Sequence, residues 1–381
     1  MISAHPPGGG TGSAVRGAGS LAALRTIFRR VDVVALAFDG EAAFADPAAR
    51  LIARPGRPPA ARRLAMLVHG GAYYADEQGA RVAERLRALT RDGELLERYD
   101  LVWCHALLLA RAAHDVPAGA RVLDIDNVPS ADLRTLAGGG AAQRAYRRAL
   151  GAAFAHEEGS RAGLFDVVTV TTPAERWRLG AVRPPVVVLP NTVPEVPAAP
   201  VAATAPLVLF VGSLRYGPNV DAVRWLAEAI VPRLRELVPA AQVRVVGRGP
   251  GEDVRGWCAA AGIELVADAP SLQPHHHEAR AVIAPLRSGG GTRIKILEAL
   301  AYGVPVVATP EALAGLRLGC ADGVAVAPDA AGLAGALARL LGAAAEAARM
   351  GAAGRAAWAR DHGPAGTHAI VARIVADLIP P

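Results

Sequence analysis

Residues 284–310 read APLRSGGGTRIKILEALAYGVPVVATP, which parses as strand, glycine loop, helix, turn and strand. Gly289, Gly290 and Gly291 let the backbone turn freely and approach a ligand closely, and Thr292 suits the N-cap of a helix expected to begin at Arg293. Such a helix start presents free N–H groups and the positive end of the helix dipole, and so an anion site. Arg293 and Lys295 fall in the first turn, where a cation is unfavourable against the dipole unless an anion sits nearby. Glu298 follows six residues after the cap, about 9 Å along the axis at ~1.5 Å per residue, a step that fits the distance from a diphosphate to a ribose. The competing reading is local: Lys295 and Glu298 stand at i, i+3 and make a surface ion pair.

The same grammar extends in both directions. Short Val- and Leu-rich runs alternate with longer Ala/Arg/Leu segments of helical spacing, which places the chain in the α/β class with parallel strands and crossover helices. Strands are expected at 207–211, 243–246, 263–266, 281–284, 304–308 and 324–327, and in the first half at 31–38, 64–68, 100–104, 121–125, 166–170 and 186–189. The opening strand has room only at 1–4, ahead of the loop HPPGGGTG, so either the strand is trimmed or the true start lies upstream. Residues 190–206, PNTVPEVPAAPVAATAP, hold five prolines and one charge, which neither a helix interior nor a central strand tolerates. Two Rossmann-like domains follow, 1–192 and 207–364, with 193–206 as linker. From Asp329 the chain reads as helical with breaks around Gly351 and Pro364. In the last segment, 365–381, Ile370, Ile374 and Leu378 recur at helical spacing and need a surface to pack on, with a crossing back to the N-terminal domain as the candidate.

Composition narrows the function classes. Apolar residues make up 52% of the 381 and charged residues 20%, enough for packed cores and against a disordered chain. Lys plus Arg number 41 against 35 acids, and the excess is spread thinly over both halves, so nucleic acid is not the expected partner. Forty of those 41 are Arg: Lys295 is the single Lys, and Asn occurs only at 127, 191 and 219. Where a residue type is almost purged, its survival at one position points to a specific job. Cys104, Cys258 and Cys320 are odd in number without CxxC spacing, as expected of reduced thiols in a cytoplasm. The first residues lack a signal peptide's apolar core, and no apolar run approaches the ~20 residues of a membrane span.

With these residues in view, the 284–310 stretch resembles the C-terminal domain of family 4 glycosyltransferases, retaining enzymes of the GT-B fold that use nucleotide-diphosphate sugars. The resemblance extends to LVLFVGSLRYGPNVDAVRWLAEAI from Leu207, VRVVGRG from Val243 and AGL at 314–316. More loosely, it takes in HPPGGGTGSAVR at the start, YDLVWCH at Tyr99, VLDIDNVPS at Val122 and VLPNTV at Val188. It implies two Rossmann-like domains facing across a cleft. The family's two-glutamate motif spaces its carboxylates eight residues apart. Glu298 matches the second, which binds the ribose hydroxyls, and the first falls at Gly290, where the carboxylate is missing. The family's usual Arg and Lys after the VG turn fall at Ser213 and Pro218, neither of them basic. Arg215, Arg293 and Lys295 then stand in to hold the diphosphate, with Gly212, Gly290, Gly291 and Thr292 around it.

In the first half, function is expected at the carboxyl ends of strands. His105 ends one such strand and resembles the family's cleft histidine near the donor sugar; the structural alternative is a strand-end histidine that only packs. Asp124 and Asp126 end the next. Asp126, followed by Asn127, is the candidate to orient an acceptor hydroxyl or act as base, or else caps the following helix. His69-Gly70-Gly71 and the loop from Gly8 to Gly12 are weaker candidates for the site. His275, His276 and His277 lack metal-ligand spacing and read as a polar loop before a strand, so no metal or other cofactor is expected. Arg144, Arg147 and Arg148, with Arg134 and Arg161 nearby, make a solvated helix face or a contact for an anionic membrane or lipid-phosphate acceptor at the inner membrane face.

The reading is therefore a cytoplasmic glycosyltransferase that moves a sugar from a nucleotide-diphosphate donor to a glycan, lipid-linked or small-molecule acceptor, with retention implied by the resemblance. Two alternatives stay open: a nucleotide-sugar epimerase of the same fold, and a degenerate binding protein, which the missing carboxylate would suit.

Overall fold

The computed structural model describes residues 1–3, 12–37, 49–53, 72–126, 128, 130, 140–199, 205–289 and 293–380. The chain divides into two compact units, Met1–Thr192 with Ala365–Pro381, and Val193–Pro364.

The first unit is built on a parallel sheet of seven strands: β1 (Ile2–Ser3), β2 (Val33–Ala37), β3 (Ala49–Ala53), β4 (Tyr99–His105), β5 (Ala118–Ile125), β6 (Val167–Val170) and β7 (Val186–Val188). Their order is β3-β2-β1-β4-β5-β6-β7. Its helices are α1 (Gly12–Ile27), α2 (Ala72–Arg91), α3 (Ala110–His114), α4 (Ala141–Ala162) and α5 (Pro173–Leu179), joined from the far end of the chain by Pro364–Leu378. Successive strand residues point to opposite faces, so each apolar run feeds two cores. Cys104, Leu123 and Val168 are in register across three strands and pack with Leu86 and Leu89 of α2. Trp103, Val122 and Val167 fill the other face with Ala23 and Leu24 of α1 and with Val371, Ile374 and Val375 of the C-terminal helix. The apolar spacing of that last helix is thus satisfied within this unit.

The second unit carries six parallel strands, β8 (Leu207–Val211), β9 (Gln242–Gly247), β10 (Glu264–Ala267), β11 (Ala281–Ala284), β12 (Val306–Ala308) and β13 (Val324–Val326), in the order β10-β9-β8-β11-β12-β13. Its helices are α6 (Gly217–Trp225), α7 (Val231–Leu237), α8 (Glu252–Ala260), α9 (Gln273–Glu278), α10 (Ile294–Tyr302), α11 (Ala330–Gly342) and α12 (Ala344–Asp361), followed by α13 (Pro364–Leu378), the C-terminal helix of the first unit. All five residues of β8 are buried, as the central strand of a sheet covered on both faces must be. The order reverses between β8 and β11, and in open α/β sheets ligands bind beyond the carboxyl ends of the strands at such a switch point.

Several expectations need correction. β3, ARLIA, is a strand that the sequence reading passed over: it is short, and its apolar character is broken by Arg50. The strand expected at 64–68 lies outside the described residues. The helical break expected at Gly351 falls instead at Ala343, and Gly351 sits inside α12. A Cβ at 351 would collide with the Gly303 carbonyl, so the glycine there lets α12 lie close over the end of α10. Among the described residues no single helix is long and apolar enough to cross a membrane.

Candidate functional site

At the switch point of the second unit, β8 ends in Val211 and the chain turns through Gly212, Ser213 and Leu214 into α6. Asn219, in the first turns of α6, is 6% exposed and donates from Nδ2 to the Ser213 carbonyl at 2.9 Å. Its Oδ1 accepts a hydrogen bond from Lys295 Nζ at 2.7 Å. The same ammonium lies 4.2 Å from the centre of the Phe210 ring, within cation–π range. A Cβ on residue 212 would stand 2.8 Å from Asn219 Nδ2 and 2.9 Å from Lys295 Nζ, so the notch left by Gly212 is what the two side chains occupy. The single Lys of the chain is therefore bonded to one of its three Asn.

Gly289 and Arg293 lie just before the start of helix α10. Helix α10 begins at Ile294, one residue later than expected, with Arg293 at the cap position and no side-chain cap bond. Gly290, Gly291 and Thr292 lie outside the described residues. Arg293 is 7% exposed and donates from Nη2 to the Gly289 carbonyl at 2.6 Å, which ties the end of the loop to the helix start. Gly289 has φ 113°, a conformation that favours glycine. Arg215 is exposed and its guanidinium lies against Gly249, in the turn after β9.

The charges on α10 are poorly placed for a ligand-free protein. Burial, with the Arg293 guanidinium nearby, brings the Lys295 ammonium down to about 7, while Glu298 acts in the opposite direction. Burial pushes the Glu298 carboxyl up to about 7 against the pull of Lys295. Among the described residues the two make no ion pair within 4 Å, so the i, i+3 surface pair is not what forms. Lys295 instead reaches the β8–α6 turn, the place where the resemblance expected basic residues at 213 and 218. The positive charge missing from that turn in sequence is supplied in space from α10.

In the first unit, His105 ends β4 and pairs in register with Asp124 of β5. Its ring is fully buried. Nδ1 lies 3.0 Å from Ser3 Oγ, and Nε2 has no hydrogen-bond partner among the described residues. Asp124 is committed to structure. Arg16 of α1 reaches its Oδ1 through Nε at 2.9 Å and Nη2 at 2.5 Å, and Thr169 Oγ1 donates at 2.6 Å. Arg16 Nη1 donates onward to the Leu189 carbonyl at 2.7 Å and to Asn191 Oδ1 at 2.8 Å. Asp126 is half-buried just past β5; Asn127, His69-Gly70-Gly71 and residues 8–11 of the N-terminal loop lie outside the described residues.

Two features, Asn219 and Arg16, were not among the site residues expected from sequence. Asn219 was marked by the rarity of Asn, whereas Arg16 is one of forty Arg and carried none. The histidine trio forms the short helix α9 rather than a polar loop, and His276 is fully buried with its ring stacked 4.5 Å from Tyr302. No three His, Cys, Asp or Glu side chains gather as a metal site among the described residues. Arg144 and Arg148 are exposed on α4, but Arg161 turns inward to Glu157 and the Leu107 carbonyl and is not part of that basic face. Arg134 lies outside the described residues.

Residues 205–343 match the family model described as Glycosyl transferases group 1. No curated protein sequence matches the chain. Among solved structures, the chain is similar to sucrose-phosphate synthase from Thermosynechococcus elongatus, with 17% identity, TM-score 0.72, and 99% of this chain and 98% of that one covered. It is similar to Anabaena HepE in complex with UDP and glucose, with 12% identity, TM-score 0.66, and coverage of 99% and 98%. A TarM variant from S. aureus, in complex with Fondaparinux, alpha-GlcNAc-glycerol and UDP, has 14% identity and TM-score 0.57; 74% of this chain is covered, but only 55% of TarM's length. These likenesses show the GT-B fold.

Proposed function

We propose that this chain, a GT-B glycosyltransferase whose residues 205–343 form a group 1 glycosyltransferase domain, moves a sugar from a nucleotide-diphosphate donor to an acceptor, with retention. The observation that carries the donor class is Lys295: a lone ammonium at the switch point, its charge destabilised by burial and bonded only to a neutral amide among the described residues. A diphosphate supplies the missing counter-charge. In the transition state, charge builds on the departing diphosphate, and Lys295 with the α10 start stabilises it, while Arg293 holds the loop in place and Arg215 and Gly212 border the same turn. Glu298 accepts hydrogen bonds from the ribose hydroxyls. His105, through Nε2, contacts the sugar, and Asp126 orients the acceptor hydroxyl. UDP in the HepE and TarM structures makes a uridine nucleotide the first donor to test.

Thermal shift with UDP, GDP and ADP at equal concentration tests the donor class. One of them is expected to raise the melting temperature by several degrees, since a ligand bound only by the folded protein stabilises it by about 2.7 kcal/mol at a hundred times its Kd. No shift with any of the three would overturn the reading.

Glu298→Gln is expected to weaken binding of the ribonucleoside diphosphate about tenfold with the melting temperature of the free protein unchanged or higher. Gln keeps the shape, loses a charged acceptor and removes a carboxyl that burial has pushed up to about 7. The 2′-deoxy nucleotide should lose less. Equal losses for the two nucleotides would assign Glu298 to structure instead.

A further inference from the structure

We propose that Asn219 is the positioning residue of the donor site: its amide, anchored on the Ser213 carbonyl, holds the Lys295 ammonium in the Gly212 notch, ready for the phosphate oxygens of a nucleoside diphosphate. The inference rests on the donor reading above and goes one residue further.

A lysine side chain is a flexible four-carbon stem, and its entropy must be lost before the ammonium can serve as a fixed point charge. Here three contacts of different kinds fix it. Asn219 Oδ1 accepts from Nζ at 2.7 Å, the Phe210 ring lies 4.2 Å below, and Gly212 leaves the space. Asn219 is itself fixed, because Nδ2 is bonded to the Ser213 carbonyl at 2.9 Å and the side chain is buried. That second bond also settles which end of the amide faces the lysine, since Nδ2 is donating and only Oδ1 is left to accept.

A neutral acceptor suits the task better than a carboxylate. Asp at 219 would pair with Lys295 fully and would repel an incoming diphosphate, whereas an amide favours the charged ammonium without neutralising it. The charged groups acting on Lys295 are Arg293 and Glu298, both flanking it on its own segment; β8 and α6 contribute the uncharged Phe210 and Asn219. Diphosphate binding therefore draws a proton onto Lys295 above neutral pH. Affinity should fall as pH rises past about 7, the value that burial gives the free ammonium.

The test is calorimetric titration from pH 6 to 9 of whichever diphosphate, UDP, GDP or ADP, shifts the melting temperature most. Wild type, Asn219→Ala, Asn219→Asp and Lys295→Met are compared. Asn219→Ala is expected to bind about tenfold more weakly, with its alkaline loss of affinity moved to lower pH because the charged lysine has lost its acceptor. Asn219→Asp should also bind more weakly, but with that loss moved to higher pH, since a carboxylate holds the proton on Lys295. Lys295→Met should bind weakly with no alkaline fall. Opposite displacements in Ala and Asp are what a merely structural role would not produce. If Lys295→Met loses affinity while both Asn219 variants keep the wild-type pH profile, the positioning role is wrong and the donor site stands. If Lys295→Met binds like wild type, the donor site itself is wrong. Should Asn219→Ala fail to fold, an unmoved profile in Asn219→Asp is enough to overturn the proposal.

Discussion

Asp124→Ala is expected to destabilise the N-terminal unit by about 3–5 kcal/mol, the scale of a buried ion pair stripped of one partner. Asp124 is fully buried and Arg16 is 2% exposed, so removal of the carboxylate leaves a guanidinium inside the protein with its charge unpaired. Arg16 would keep only the Leu189 carbonyl and Asn191, and Thr169 would lose its acceptor. For a unit of this size the loss corresponds to roughly 10 °C in melting temperature, at ~2–4 °C per kcal/mol. The double replacement Arg16→Met with Asp124→Leu should recover much of it, because an apolar pair needs no compensating charge. A melting curve that moves by less than 2 °C in Asp124→Ala would show that the pair does not hold α1 to β5. The pH dependence has a defined sign. Burial alone would raise the Asp124 carboxyl, but Arg16, His105 and the Thr169 hydroxyl outweigh it and hold the group below the ordinary carboxylate range. The unfolded chain therefore takes up this proton first, near pH 4. Stability from the pair is full above that pH and is lost as pH falls through the lower folded value. Asp124→Ala should remove that acid-side loss.

The fold class was legible because a parallel sheet is buried on both faces, so its strands appear as unbroken apolar runs such as LVLFV at 207–211 and AVIA at 281–284. Where a strand lies at the sheet edge the signal fades, and ARLIA at 49–53 passed unnoticed. The α10 charges drew notice in the sequence for a different reason: cations at a helix start are locally unfavourable, and a local conflict points to something outside the helix.

What the sequence could not show is the direction each charged side chain takes. Spacing placed Lys295 beside Glu298, yet the lysine turns away to a residue 76 positions earlier in the chain. Asp124 and Asp126 are two residues apart at one strand end and differ completely: the first is locked to Arg16, 108 positions away, while the second lies past the strand and half-buried. These outcomes depend on long-range contacts that no local pattern encodes. The helix-start position and the rarity of Lys marked 295, while only the rarity of Asn, three in the chain, marked 219.

Lys295→Met is expected to reduce donor turnover by about 30- to 1000-fold, or roughly 2–4 kcal/mol of transition-state stabilisation, the range for one charged contact to a developing anion. The variant should nevertheless be at least as stable as wild type when free of ligand. The unfolded chain holds the lysine proton up to about 10.5 and the folded protein only up to about 7, so the charged side chain opposes folding at and below neutral pH. Between those two values folding releases a proton, and the stability of the wild type rises with pH. Methionine has no proton to lose, so its advantage over lysine should be largest below pH 7 and shrink as pH rises toward 10. Reduced turnover together with an unchanged or higher melting temperature separates this role from simple misfolding. Arg293→Ala gives the contrast. That guanidinium is tied to the Gly289 carbonyl, so its loss should loosen the glycine loop and lower turnover with no gain in stability. A Lys295→Met protein that melts several degrees lower than wild type at pH 6 would show that the ammonium is a structural element, and the diphosphate would then have to be held elsewhere.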